Sequence, residues 1–488
     1  MAIRPAPILA ALLSIALCAC GKTGEGAVKI SVIGSDTALR ENPPRLTSAA
    51  QLVRAASVEG LVGFDAAGRV GPALADRWIV TEDGRSYIFR LRDGAWPDGS
   101  PITGETAAAL LRKVLAGLRG TALALDLSEV EEVRAMAGRV VEIRLRSPVP
   151  DLLTLLAQPE LGLSYAQRRT GPMIVEHEGQ VYAFTLIPPE QRGLPSEPGF
   201  ANRVRSLRVR FEGPSAAVQR FNDGQSDIVL GGRIDSLPLA GSSGLIRGNV
   251  QIDPVIGLFG LGVENGNGFL ADPANREALA MAIDRDSIIA AFNVSGWTPT
   301  TRIVSPDVID DLGTVGERWT AMSLDERRAS AAARVGRWSA GNGPVTLRVG
   351  ILAGAGNALI ARRLANDFRA IGVSIQLVGE GDRADLRLID SVARYGRATW
   401  FLNQLSCGAG RPVCSEAADA RAAEARLATD PQQRAALLAE AEAELTAANT
   451  FLPIARPLRW SLVRSDVPGF APNPWGWHPL PPLALLPK

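Results

Sequence analysis

The sequence predicts an α/β protein that contains more than one domain. Two strand-helix-strand patterns, at residues 206–230 and 345–378, indicate parallel strands, because a helical crossover usually connects parallel neighbours. A third segment, residues 59–105, alternates apolar and polar side chains between Asp-Gly turns, which is typical of hairpins. The chain has 488 residues, 46% of them hydrophobic. That length is enough for about three domains.

The N-terminus has the pattern of a bacterial lipoprotein signal. Arg4 supplies a positive charge, residues 8–17 are mostly apolar, and Cys20 closes a Leu-Cys-Ala-Cys sequence. The apolar stretch is shorter than the ~20 residues that span a bilayer, which favours a cleaved signal over a permanent transmembrane helix. We expect residues 1–19 to be removed, Cys20 to carry a lipid, and residues 20–27 to form a tether. An ordinary signal peptide with incidental cysteines is the alternative.

Local patterns place further elements along the chain. Residues 28–32 and 140–145 alternate apolar and polar side chains, as strands do. Thr103 is a suitable N-cap for a helix whose apolar side chains recur at helical spacing. Residues 416–449 are rich in alanine, and Asp430 before a proline favours two helices with a capped break over one coiled coil.

Charge and histidine content limit the classes of function. The chain has 52 basic and 51 acidic residues, so loss of Arg4 with residues 1–19 leaves 51 of each. That neutral sum argues against a protein that binds nucleic acid or a membrane surface. His177 and His478 lie far apart, without a second histidine or a cysteine at zinc-ligand spacing. The Gly-x-Gly at residues 354–356 does not complete a dinucleotide motif. We therefore expect a binding protein without catalysis, metal or cofactor.

Four segments carry motifs that occur together in one family. Residues 59–105 contain Glu-Gly-Leu, an Asp-x-x-Gly turn, Pro-x-Leu-Ala-x-x-Trp and Trp-x-Asp-Gly, in that order. Residues 275–285 read NREALAMAIDR, residues 369–373 read RAIGV, and residues 467–474 read VPGFAPNP. In this order the segments resemble the family 5 extracellular solute-binding proteins, the dipeptide, oligopeptide and nickel receptors of ABC importers. The resemblance runs from residue 28 to residue 478.

The resemblance implies a fold and its domain organisation. In that family two α/β lobes form a type II periplasmic-binding-protein fold, with an extra subdomain in the first lobe, and close over the ligand. Residues 28–58, 150–252 and 456–488 would then build lobe I, residues 59–149 the extra subdomain, and residues 253–455 lobe II.

The same resemblance implies partners and a location. We expect a periplasm-facing, lipid-anchored monomer that captures a peptide or other small solute and delivers it to an ABC permease in the membrane. No nucleic acid is expected among its partners. A degenerate family member that serves as an envelope scaffold or sensor, without transport, is the alternative.

Residues 394–407 carry the clue to the ligand. They resemble the dipeptide-binding branch, in which an aspartate pairs with the free amino group of the peptide. Here Arg394 and Arg397 stand near the acidic positions, and a guanidinium repels an ammonium but holds a carboxylate. We expect an acidic or amide-like ligand, with Tyr395 and Trp400 stacking on it. Alternatively, the arginines are solvated or pair with local acids, and the two aromatic side chains serve in packing.

Cys407 and Cys414 are the cysteines that remain after processing. In an exported protein such a pair favours a disulfide, worth about 2.5 kcal/mol for a loop of about eight residues, and two free thiols are the alternative. The resemblance supports the disulfide, because the dipeptide-binding branch also has Ser-Cys followed shortly by a partner cysteine.

Overall fold

The computed structural model describes residues 26–166, 168–241, 248–306 and 308–487. The predicted signal peptide, the lipidation site Cys20 and most of the predicted tether lie outside these residues. Within the described ranges, no helix combines the length and the apolar character that a bilayer crossing requires.

The strands of the described residues are short, and most have four to seven residues. They are β1 (Val28–Ile33), β2 (Val62–Phe64), β3 (Val70–Pro72), β4 (Ala75–Val80), β5 (Ser86–Leu91), β6 (Val130–Ala135), β7 (Val140–Leu145), β8 (Met173–Glu178), β9 (Val181–Leu186), β10 (Leu207–Glu212), β11 (Ile228–Arg233), β12 (Val250–Asp253), β13 (Gly257–Val263), β14 (Val345–Gly350), β15 (Val373–Val378), β16 (Leu386–Val392), β17 (Phe451–Ala455) and β18 (Arg459–Val463).

The helices range from single turns to α10 with 19 residues. They are α1 (Ser48–Ser57), α2 (Gly104–Gly117), α3 (Ala122–Asp126), α4 (Leu152–Leu156), α5 (Phe200–Arg203), α6 (Pro214–Asn222), α7 (Leu237–Gly241), α8 (Pro273–Ala282), α9 (Arg285–Ala290), α10 (Leu324–Asn342), α11 (Ala355–Arg369), α12 (Ala398–Leu405), α13 (Glu416–Leu427), α14 (Pro431–Ala448) and α15 (Leu480–Leu483).

A seven-stranded mixed sheet has the order β12-β18-β11-β1-β10-β9-β8. The predicted strand-helix-strand unit at residues 206–230 is confirmed as β10, α6 and β11. Its two strands are not neighbours, because β1 lies between them and pairs in parallel with both. Six of these strands fall within the segments predicted to form lobe I, and β12 extends one residue beyond the predicted boundary at residue 252.

A five-stranded sheet has the order β15-β14-β16-β13-β17. The second predicted unit, residues 345–378, is confirmed as β14, α11 and β15, with the two strands paired directly and in parallel. Strand β16 is parallel to β14 and antiparallel to β13. All five strands fall in predicted lobe II, although the domain boundaries themselves stay a prediction.

The segment with the Asp-Gly turns forms an antiparallel sheet of order β4-β5-β7-β6, beside the small β2-β3 hairpin. The alternation predicted in β5 is confirmed, because Tyr87, Phe89 and Leu91 are buried while Arg90 between them is exposed. Thr103 caps α2 as predicted, and its hydroxyl accepts a hydrogen bond from the Thr106 amide.

One hydrophobic cluster joins two segments that the sequence assigned to different domains. It contains Leu123 and Leu127 from the predicted extra subdomain, together with Leu402 and Leu405 from predicted lobe II. These side chains remove apolar surface from water on both partners, which stabilises their association. As a result α12, and the loop that precedes it, are held against the extra subdomain.

Candidate functional site

A central cavity of about 210 Å³ is lined by residues of both large sheets. One part of its wall comes from α1, from the ends of β11 and β18, and from the C-terminal segment. The other part comes from the end of β16 and from α12. The volume lies below the roughly 300–1,000 Å³ of most ligand pockets. The cavity therefore suits a small solute.

Three charged side chains meet in the wall of the central cavity. The antiparallel pairing of β11 and β18 places Arg233 directly opposite Arg459, where like charges repel. Asp390 of β16 compensates both charges. Its Oδ1 accepts from Nη1 of Arg459 at 2.7 Å, and its Oδ2 accepts from Nε of Arg233 at 3.2 Å. Burial alone would raise the pKa of Asp390, but the guanidiniums of Arg459 and Arg233 outweigh it and lower that pKa.

Arg394, a predicted ligand residue, lines the central cavity and pairs with a buried acid. It follows β16, and its Nη2 donates to Oε1 of Glu160 at 3.0 Å while Nη1 donates to Oε2 at 3.1 Å. Burial would raise the pKa of Glu160, yet the charge of Arg394 lowers it below its usual range. Arg394 thus reaches the cavity and pairs with an acid that is distant in sequence, and its role in ligand binding stays a prediction.

Trp400, on α12, also lines the central cavity but is almost entirely buried. Its side chain is 1% exposed and lies edge to face with Phe401, with the ring centroids 5.0 Å apart. Among the described residues, the Trp400 Nε1 atom is a buried donor without a hydrogen-bond partner. An indole can only donate, so an acceptor is missing at this position.

Tyr395 and Arg397 lie in a different place from the other two predicted ligand residues. They line a lateral cavity of about 100 Å³ between the extra subdomain and the helices α13 and α14. The Tyr395 hydroxyl donates to Oδ1 of Asp126 at 2.8 Å, and Arg397 forms an ion pair with Asp151. The structure therefore separates the four predicted ligand residues into two pairs.

Asp126 is the buried acid of the lateral cavity. Its Oδ1 also accepts from Nδ2 of Asn403 at 2.8 Å, while its Oδ2 is buried without a partner in the part of the chain that the structure describes. Burial raises the pKa of Asp126 to about 6, although the hydrogen bonds from Asn403 and Tyr395 lower it. Asp126 thus links the predicted extra subdomain to predicted lobe II through a carboxyl group that is hard to ionise.

The chain bends after β16, and this bend separates the two pairs. Asp390 and Arg394 bond to groups at the central cavity, whereas Tyr395 and Arg397 bond to groups at the lateral one. The successive residues 390–394 all line the central cavity, so a period of two does not predict this division from the sequence.

Sequence reasoning missed Glu160, Arg233, Asp390 and Arg459. Of these, Asp390 alone carried a local signal, because aspartate is uncommon inside a strand. The other three are single charged residues far apart in the chain, and only the packing of the sheets brings them to one cavity.

Cys407 and Cys414 form the expected disulfide, with their Cα atoms 5.2 Å apart. This separation lies within the usual range for a disulfide. The bridge closes the loop after α12, and neither cysteine lines the central cavity. Its place indicates a structural role.

The histidines have other partners than a metal ion. His478 lines the central cavity, where its Nε2 lies 3.2 Å from Oδ2 of Asp253, and His177 stacks on Tyr182. In the described portion of the chain, no three His, Cys, Asp or Glu side chains are grouped so as to hold a metal ion.

Comparison with known proteins identifies the family. The family model of bacterial extracellular solute-binding proteins, family 5 Middle, matches residues 69–177 and 199–404, more than half of the chain. The periplasmic oligopeptide-binding protein OppA of Escherichia coli (strain K12) is 23% identical over 465 residues, which cover 84% of this chain and 84% of that protein.

Two solved structures share the two-lobed α/β fold, which confirms the predicted fold class. OppA of Haemophilus influenzae, in complex with RPPGFSPFR, has a TM-score of 0.81 at 19% identity and covers 94% of this chain and 99% of its own. The murein tripeptide binding protein MppA of Escherichia coli has a TM-score of 0.81 at 18% identity, with coverages of 94% and 98%. This chain belongs to the bacterial extracellular solute-binding proteins of family 5.

Proposed function

We propose that this protein is the solute-binding receptor of an ABC importer. It captures a peptide-like or other small polar solute in the central cavity and delivers it to a membrane permease. The observation that carries this proposal is the convergence of Asp390 and Arg394, from the five-stranded sheet and its following loop, with Arg233 and Glu160 from predicted lobe I. Groups that meet across a cavity from two lobes are suited to hold a ligand between them.

Closure of the lobes is the proposed mechanism. The pairs Arg394–Glu160 and Arg233–Asp390 join residues of the two predicted lobes, so we assign them to a closed state. Buried ion pairs contribute little net stability, because desolvation offsets their attraction. A solute that contacts both walls binds the closed state more tightly than the open state. It therefore shifts the population toward the closed state. We assign direct contact with the solute to Arg394 and Trp400, and positioning of the closed state to Tyr395 and Arg397.

The lipid on Cys20 is part of the same proposal. An acylated N-terminus holds the receptor at a membrane as a monomer and keeps it close to its permease. The neutral charge sum of the mature chain adds little attraction to anionic lipid, so anchoring depends on the acyl chains. Mass spectrometry of the membrane-extracted protein tests this: a peptide that begins at residue 20 with an acyl mass supports it, and a free N-terminus contradicts it.

A solute screen tests the receptor function. We expect one class of small polar solute to raise the melting temperature of the purified mature protein by several degrees. Small-angle scattering of the same samples should show a smaller radius of gyration, because closure makes the molecule more compact. If no class of solute changes either quantity, the receptor function is wrong and the alternative of a scaffold or sensor is favoured.

A further inference from the structure

We propose that the central cavity selects a small solute that carries a carboxylate and lacks a free ammonium group. This inference rests on the proposed receptor function and names the solute class for its site. It depends on which charged groups in the cavity wall are already satisfied.

The carboxylate of Asp390, which lines the cavity, and the carboxylate of Glu160, the partner of Arg394, are both already paired. Each oxygen of Asp390 accepts from one arginine, and each oxygen of Glu160 accepts from Arg394. Their side chains are 11% and 1% exposed, respectively. A solute ammonium would have to displace an arginine from one of them and would leave that guanidinium without its counter-charge.

The guanidinium groups of Arg233 and Arg394, in contrast, face the cavity and keep N–H donors that are not used in hydrogen bonds. The side chains of Arg233 and Arg394 are 32% and 23% exposed, more than the carboxylates that they bind. Arg233 donates through Nε and Nη2, and Arg394 through Nη1 and Nη2. Among the bonds of the described residues, Nη1 of Arg233 and Nε of Arg394 are unused, and an arginine has five N–H donors. The accessible face of this charge cluster is therefore positive.

Trp400, on the same part of the wall as Arg394, adds a third donor. Its buried Nε1 has no acceptor within the described residues, and a carboxylate oxygen would supply one. Charge-assisted hydrogen bonds from a guanidinium to a carboxylate are stronger than neutral ones. The cavity volume of about 210 Å³ favours a small acid over a long extended peptide.

Calorimetry with matched probes tests the inference. Alanyl-alanine derivatives provide the series: acetyl-Ala-Ala with a carboxylate only, Ala-Ala with both groups, Ala-Ala-amide with an ammonium only, and acetyl-Ala-Ala-amide with neither. Benzoate, benzamide and benzylamine provide a smaller series of the same kind. We expect the carboxylate-only probe of at least one series to bind at least tenfold more tightly than its ammonium-only counterpart, and raised salt to weaken that binding.

Variants connect this binding to the named residues. We expect Arg394→Gln and Trp400→Phe each to weaken binding of the carboxylate probe at least tenfold. Arg421→Gln is the control, since Arg421 is an exposed arginine of α13 that pairs with Glu424 at 2.8 Å and lines neither cavity; it should change the affinity less than twofold. If Arg394→Gln fails to fold, the double variant with Glu160→Gln, which leaves no unpaired buried charge, replaces it.

The outcomes separate this inference from the receptor function. Binding of ammonium probes in preference to carboxylate probes overturns the inference and leaves the receptor function standing. Equal loss of affinity in Arg394→Gln and Arg421→Gln also overturns it. If no probe binds but the wider solute screen finds another class of ligand, only the inference about the carboxylate is wrong. If that screen also finds no ligand, the inference and the receptor function are both wrong.

Discussion

Replacement of Asp126 by asparagine should stabilise the folded protein at neutral pH. The carboxyl group is 7% exposed, and burial raises its pKa to about 6 from an ordinary value of 3.8. At 1.36 kcal/mol per pKa unit, this difference means that ionised Asp126 costs the folded state about 3 kcal/mol. The variant keeps an oxygen that accepts from Tyr395 and Asn403. Its amide nitrogen takes the place of Oδ2, and an unpaired buried donor costs about 1–3 kcal/mol. The net gain at pH 7.5 is therefore about 0–2 kcal/mol.

The pH dependence of the free energy of unfolding is the most specific test of this prediction. Folding raises the pKa of Asp126, so below pH 3.8 the group is protonated in both states and does not destabilise the folded wild type. As the pH rises from 3.8 toward 6, the unfolded state loses this proton first, and the free energy of unfolding falls. Asparagine does not titrate. The stability of Asp126→Asn relative to wild type should therefore increase by about 2 kcal/mol between pH 4.5 and 7.5, and any constant cost of the amide cancels in this comparison.

Urea denaturation at pH 4.5, 6.0 and 7.5, followed by circular dichroism, measures the free energy of unfolding. Asp83→Asn serves as the control, because Asp83 is an exposed turn residue whose pKa is lowered by the hydrogen bond from the Thr81 hydroxyl. This control should be slightly less stable than wild type at pH 7.5, the opposite sign. If the difference between Asp126→Asn and wild type is the same at all three pH values, the proposed burial of an ionised Asp126 is refuted.

Three further changes test other parts of the fold. Asp390→Asn leaves two facing arginines without their counter-charge and should cost about 3–5 kcal/mol in urea denaturation; a loss below about 1 kcal/mol would contradict the shared-carboxylate geometry. Serine at both ends of the 407–414 disulfide should lower the stability by about 2 kcal/mol without changing solute affinity, and a lost affinity would place the bridge at the ligand site. Thr103→Ala removes a helix N-cap and should cost about 1 kcal/mol, whereas Thr103→Ser should be nearly neutral.

Local rules were enough to predict much of the fold from the sequence. Strand β7 has the predicted bounds, because its alternation is regular and β-branched residues favour an extended chain. Asp430 caps α14 at the predicted break, with its carboxylate accepting from the Gln432 and Gln433 amides. These features depend on neighbours within a few residues, so a sequence pattern contains what is needed to find them.

The site depends on contacts between segments that are distant in the chain. A local sequence pattern does not reveal such contacts. Arg233 and Arg459 are 226 positions apart, yet the pairing of β11 with β18 places them face to face. Glu160 lies in an apolar segment after α4, with no local reason to mark it as the partner of Arg394. The sequence showed an arginine at position 394, near a position where the dipeptide-binding branch has an acidic residue. It did not show that Glu160 would pair with Arg394.

One loop connects both cavities, and this connection constrains how a solute can bind. Arg394 bonds to Glu160 on the side of the central cavity, while Tyr395 and Arg397 bond to Asp126 and Asp151 on the side of the lateral one. If a solute carboxylate displaced Glu160, it would leave a buried charge unpaired, which costs more than an exposed one. A solute is therefore expected to approach the unused Nε edge of Arg394 and to keep the ion pair intact. On this route the loop stays bonded on both sides, and solute binding and lobe closure reinforce each other.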